Sequence, residues 1–179
     1  NNRFPAQRIT PGINCELKYL YFQIRRQGSP TGDVYCRVFS ESGGAPNTGM
    51  QNTAMITGST ISTTAYQWVK FTFSIPVSLT AGTSYWFAVA GNTSNTVDHY
   101  LVRTDENAGY YQDNHFAMIY DVGTWRALTN VTQPLTKPHL IFRAVTLQDT
   151  GSQIQTAVVA ADQFLPRVKI PASGVLTSP

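Results

Sequence analysis

Residues 68–91, WVKFTFSIPVSLTAGTSYWFAVAG, decide the fold class. Two alternating runs flank one short turn. In the first, Val69, Phe71, Phe73 and Ile75 fall on one face and Lys70, Thr72 and Ser74 on the other. In the second, beyond Ala81, Gly82 and Thr83, the residues Tyr85, Phe87 and Val89 alternate with Trp86, Ala88 and Ala90. A period of two, rich in aromatic and β-branched residues, belongs to half-buried antiparallel strands. The expectation is a strand pair that puts Phe71, Phe73, Phe87 and Val89 in a core.

The same texture extends in both directions. CELKYLYFQIRRQ alternates through Leu20, Phe22 and Ile24, and DVYCRVFS through Val34, Cys36 and Val38. The intervening GSPTG turn predicts a hairpin with Phe22 opposite Cys36. The prolines of FPAQRITPG suggest an edge strand or a lead-in. ESGGAPNTG reads as a loop, and short strands are expected around residues 54–56 and Ile61. GNTSNTVD is another loop, followed by strands at HYLVRT, FAMIYD, the Trp125 segment and HLIFRAV. About seven to nine short strands separated by polar turns, with no helical period, favour an all-β fold: an antiparallel, two-sheet, jelly-roll-like sandwich over residues 1–148.

Composition narrows the function. Charged residues are 13% of 179 positions, about half the ~25% usual in soluble proteins, so hydroxyls and amides make up most of the polar surface. Thirteen Lys and Arg against ten Asp and Glu leave a formal charge of +3. The cations are scattered apart from Arg25-Arg26, which argues against a nucleic-acid footprint. No apolar run is long enough to span a bilayer, so no membrane insertion is expected. The chain opens on Asn1 rather than Met, which reads as a processed product or a part of something longer.

Cys15 and Cys36 are expected to be free thiols. With Phe22 opposite Cys36, Cys15 would lie about seven residues along its strand, roughly 20 Å away and far beyond disulfide reach.

Past Asp149 the pattern changes. Ile154, Ala157, Val158, Ala161 and Leu165 fall at i, i+3, i+4, i+7 and i+11, one face of a helix with Ser152 as its N-cap. The prolines of the tail cannot continue it. A lone helix of about a dozen residues is marginal without a packing partner. Residues 149–179 are therefore expected to form a helix and extended assembly arm, with Ile154, Val158 and Leu165 as contact residues on another subunit.

The order of GSPTGDVYCRVF, the PNTG loop and WVKFTFSIPVSLTAGTSYWFAVAG resembles the β-sandwich modules of the choice-of-anchor, carbohydrate-binding-module-like type. Such modules occur in phage tail, fibre and other virion proteins and in bacterial surface proteins. The likeness covers about residues 5–146 and rests on turn and core positions. It implies display or attachment rather than chemistry.

No nucleophile elbow, P-loop or zinc-protease signature is present. His99, His115 and His139 lack metal-ligand spacing. No catalytic residue, cofactor or metal is expected. A calcium site in the 105–114 loop would need an oxygen-ligand spacing that the loop lacks. That loop instead suits sugar: Tyr110 and Tyr111 offer ring faces to C–H surfaces, while Asp105, Asn107 and Asp113 offer hydrogen bonds to hydroxyls. Trp125 would extend the platform. The expectation is a non-enzymatic structural or attachment protein of a virion, homo-oligomeric, with cell-surface glycan as a partner. The alternative is a carbohydrate-binding or adhesion module of a secreted bacterial protein.

Overall fold

The computed structural model describes residues 4–91, 97–105, 117–121, 123–127, 139–149 and 154–160. All of its extended elements are strands: β1 (Phe4–Ile9), β2 (Cys15–Gln27), β3 (Val34–Ser42), β4 (Ala45–Ile56), β5 (Gln67–Leu79), β6 (Tyr85–Gly91), β7 (His99–Val102), β8 (Thr104–Asp105), β9 (Ala117–Asp121), β10 (Thr124–Ala127), β11 (His139–Leu140), β12 (Phe142–Asp149) and β13 (Ile154–Ala160). One sheet runs β10-β9-β1-β6-β3-β4 and the other β13-β12-β2-β5, with β7 also pairing β2; β8 and β11 form a small two-stranded ribbon. Every pairing between these strands is antiparallel. The fold is an all-β sandwich.

The expected faces fill the space between the sheets. Val34, Cys36 and Val38 of β3 and Phe87 and Val89 of β6 meet Leu20, Phe22 and Ile24 of β2 and Val69, Phe71 and Phe73 of β5 in one buried cluster. Phe22 meets Phe71 edge-to-face within one sheet (ring centroids 6.2 Å apart), and Phe87 meets Phe142 edge-to-face across the two sheets (5.7 Å), which ties the layers together. Each large apolar side chain buried this way contributes about 1.5–3 kcal/mol. One buried polar group joins them: Gln7 Oε1 accepts the Leu140 backbone N–H at 3.0 Å, so its desolvation is compensated.

The strand partners differ from the expectation. β5 and β6 do not pair with each other; they lie in opposite sheets, and the Ala81-Gly82-Thr83 turn carries the chain across the core. The GSPTG turn crosses in the same way, so β2 and β3 form no hairpin and Phe22 stands across from Val69 and Phe142 rather than Cys36. A short Gly-containing turn suits either connection, and alternation alone does not name a partner. The turn after β5 is held from the side. Gly82, at φ 73°, donates its N–H to Pro11 O at 2.9 Å, and Ala81 N–H donates to Asn14 Oδ1 at 2.8 Å. Residues 10–14 are themselves the crossing from β1 to β2, so two crossings brace each other.

Three further expectations are corrected. β1 is interior, between β9 and β6. Pro5 is tolerated because β6 pairs only residues 6–9 of β1, which leaves Pro5 in the half that pairs β9 alone. ESGGAPNTG is no loop: Ser42 pairs Ala45 around Gly43 and Gly44, at φ 60° and 80°, a two-residue turn of the kind that fits strand twist. Ile75 leaves the core face and is 78% exposed. Between the pairs Tyr19↔Thr72 and Leu17↔Val77, β2 has one residue and β5 has four. This bulge swings Ile75 outward before Val77 and Leu79 re-enter the core.

The helix expected after Ser152 is also corrected. Residues 154–160 form β13, antiparallel to β12 from Asp149↔Ile154 to Arg143↔Ala160. IQTAVVA carries four β-branched residues, Ile154, Thr156, Val158 and Val159, and its apolar positions satisfy a strand as readily as a helical stripe. Pairing with the edge of β12 satisfies its backbone without needing a second subunit. Leu165 lies outside the described residues.

Candidate binding faces

Both sheets carry aromatic residues on their outer faces. On the six-stranded sheet, β6 is buried on both sides. Trp86 and Ala88 point away from the main core, yet Trp86 is 0% exposed. They cluster with Ala6 and Phe39, and Phe4, Met118 and Trp125 pack against them. Trp125 meets Tyr120 edge-on at 5.2 Å, Phe4 at 5.3 Å and Phe39 at 6.1 Å. Phe4 stacks on Tyr120 at 4.8 Å. YWFAVAG signals this burial, since it has no polar residue on either alternating face.

At the margin of that cluster Arg8 grips Glu41 with two nitrogens, Nη2 lying 2.8 Å from Oε1. The hydrogen bond from Arg8 holds the Glu41 carboxyl below the usual carboxylate range, against a smaller opposing effect of burial; the Trp86 indole adds a little in the same direction.

The five-stranded sheet presents a different outer face. Because Val69, Phe71, Leu20, Phe22, Phe142 and Ala144 face the core, their neighbours Trp68, Lys70, Tyr19, Tyr21, Gln23 and Arg143 face outward. Lys70 Nζ sits 3.8 Å from the centroid of Tyr19 and 6.0 Å from that of Tyr21. Arg143 reaches across β2 and lies 4.1 Å over the Trp68 ring. Arg25 lies 5.4 Å from Tyr66, Lys18 lies 5.6 Å from Tyr19, and Arg103 donates to Gln23 Oε1 at 2.9 Å. Five cations separated by up to 125 positions (143 − 18) in the sequence meet on one face. Their scatter along the chain hid this patch, whose only local trace is the polar or aromatic half of each alternation.

Of the expected glycan residues, the structure places Trp125 on β10, half-buried in the aromatic cluster, and Asp105 at the end of β8. Asn107, Tyr110, Tyr111 and Asp113 lie outside the described residues. Ile154 and Val158 stand on β13 opposite Asp149 and Val145. Among the described residues no group of three His, Cys, Asp or Glu is placed to hold a metal ion, and no helix is long and apolar enough to cross a membrane. Both cysteines are free. Cys36 is fully buried, which pushes its thiol well up; Cys15, partly buried, is raised less.

No protein-family model matches the chain, and no curated protein matches it.

Proposed function

We propose that the chain is a non-enzymatic structural and attachment protein of a phage or virus particle, a decoration, fibre or tail-associated subunit that contacts host-surface glycan. The observation that carries this reading is the placing of half-buried aromatic rings, Tyr19, Tyr21 and Trp68, among cations on the outward face of a sandwich sheet. A ring-bearing sheet face makes contacts over area, which suits attachment. The hydroxyl-rich, weakly charged composition fits a particle surface, and a two-sheet antiparallel sandwich fits the same class. In this reading Tyr110, Tyr111, Asp105, Asn107 and Asp113, with Trp125, supply a glycan contact, and Ile154, Val158 and Leu165 belong to the segment through which copies assemble.

Sedimentation of the purified chain, run beside glycan-array binding and an assay for released reducing sugar, tests the proposal. An oligomer that binds glycan without releasing sugar is expected. Sugar release above the buffer rate would contradict it. The exposed ring-cation face serves a free-standing module equally well, so a monomer with measurable glycan affinity moves the reading to a carbohydrate-binding or adhesion module of a secreted bacterial protein.

A further inference from the structure

We infer that the outer face of the five-stranded sheet, centred on Tyr19, Tyr21, Trp68, Lys70 and Arg143, is a binding surface for an acidic polysaccharide, one that bears carboxylate or sulfate groups. The inference rests on the attachment reading above and gives it a ligand class and a place.

Register builds the patch. Tyr19 stands opposite Thr72 on one side and Val145 on the other; in the next outward row Tyr21 stands between Lys70 and Arg143; in the third Gln23 faces Trp68. No acid occupies any position from 19 to 23, 68 to 72 or 143 to 145, so among the described strands the cations here have no carboxylate at their own level of the sheet. The described Arg8–Glu41 ion pair belongs to the other sheet. The cations are also held low: Lys70 rests against Tyr19 and Arg143 lies over Trp68, each drawn to the ring by its quadrupole. Positive charge is thus spread at ring height across the outer face of the sheet.

That arrangement selects among anionic partners. A nucleic acid would stack its bases on open ring faces, and two of those faces already hold cations. An acidic sugar needs no such displacement. Its carboxylate or sulfate meets Lys70 and the forked guanidinium of Arg143, while its hydroxyls exchange hydrogen bonds with the Tyr19 and Tyr21 phenols, the Gln23 amide and the Thr72 hydroxyl. The spacing along the sheet offers several such points to a repeating chain, which a single small anion would not use.

The test is titration of the intact chain with a uronate polymer, a sulfated polysaccharide, neutral dextran and oligothymidine. Either or both acidic polymers should bind, with affinity falling as salt rises. Lys70→Ala and Arg143→Ala should each weaken binding about tenfold, Lys70→Arg should retain most of it, and Arg126→Ala, on the other sheet, should leave it unchanged. If a truncation unfolds, Lys70→Gln and Arg143→Gln, which keep the stem, are measured in its place. Equal binding by the face variants, equal binding of dextran, or tighter binding of oligothymidine overturns the inference. Loss confined to Trp125→Ala overturns this face and leaves glycan attachment standing; absence of binding to every polysaccharide defeats both.

Discussion

At the scale of single residues, Phe71 and Ile75 occupy the same phase of one alternation and have opposite fates, because the bulge on β5 falls between Phe73 and Val77. Phe71→Ala or Phe73→Ala should therefore cost about 3–5 kcal/mol, whereas Ile75→Ala should change stability by less than about 0.5 kcal/mol. Urea unfolding of the three variants measures this, and an Ile75 cost equal to that of Phe73 would mean the bulge is misplaced. Glu41 adds a pH test. Its folded carboxyl titrates below the ordinary value of 4.5, so its contribution to stability is complete above that value and is lost as pH falls through the lower, folded one. Melting curves of the parent and Glu41→Gln should differ at neutral pH and converge in acid. A gap that stays constant as pH falls until the protein unfolds in acid would show that the Arg8 pairing does not act through the carboxylate charge. Cys36, buried in the core, should resist a thiol reagent until the protein unfolds, whereas Cys15 should react first.

At the scale of elements, alternation told which segments are strands and mostly which face is buried, because that information is local. Val69, Phe71, Phe87 and Val89 all lie where their spacing puts them. Partners were not legible. The GSPTG and Ala81-Gly82-Thr83 turns are compatible with hairpins, and only the distant brace from Pro11 and Asn14 shows that the second is a crossing. Conversely Gly43-Gly44 carried a readable two-residue turn signal that the surrounding polar residues obscured. Gly44→Ala, at φ 80° with open space around its Cβ, should destabilise by about 1 kcal/mol through backbone strain alone. Gly91→Ala acts differently: its Cβ would come within 2.6 Å of the Tyr100 ring, an overpacking that typically costs about 1–3 kcal/mol. For residues 154–160 the helical stripe and the strand pattern coexist in seven residues, and the free edge of β12 decides between them. Their amides should exchange slowly in the isolated chain, as ladder amides do; exchange at random-coil rates would return this segment to the expected arm.

At the scale of the whole molecule, the sandwich brings together what the sequence disperses. Lys18, Arg25, Lys70, Arg103 and Arg143 come from three strands and one strand junction, and no stretch of 50 residues contains more than two of them. Composition gave the right warning, a nearly neutral total, but said nothing of its distribution. The loop of Tyr110 and Tyr111 lies outside the described residues; the cation–ring face was not legible, because its spacing exists only after β2, β5 and β12 pair. The second aromatic cluster, around Trp86 and Trp125, stiffens the opposite sheet. One face is thus closed by ring packing and the other is left open with charge.

The measurement that bears most directly on this account is a nuclear magnetic resonance titration of the unmodified protein with a short acidic oligosaccharide. Amide shifts should concentrate at residues 19–23, 68–72 and 143–145 and fade as salt is added. Shifts confined to residues 117–127, or spread evenly over both sheets, would contradict it.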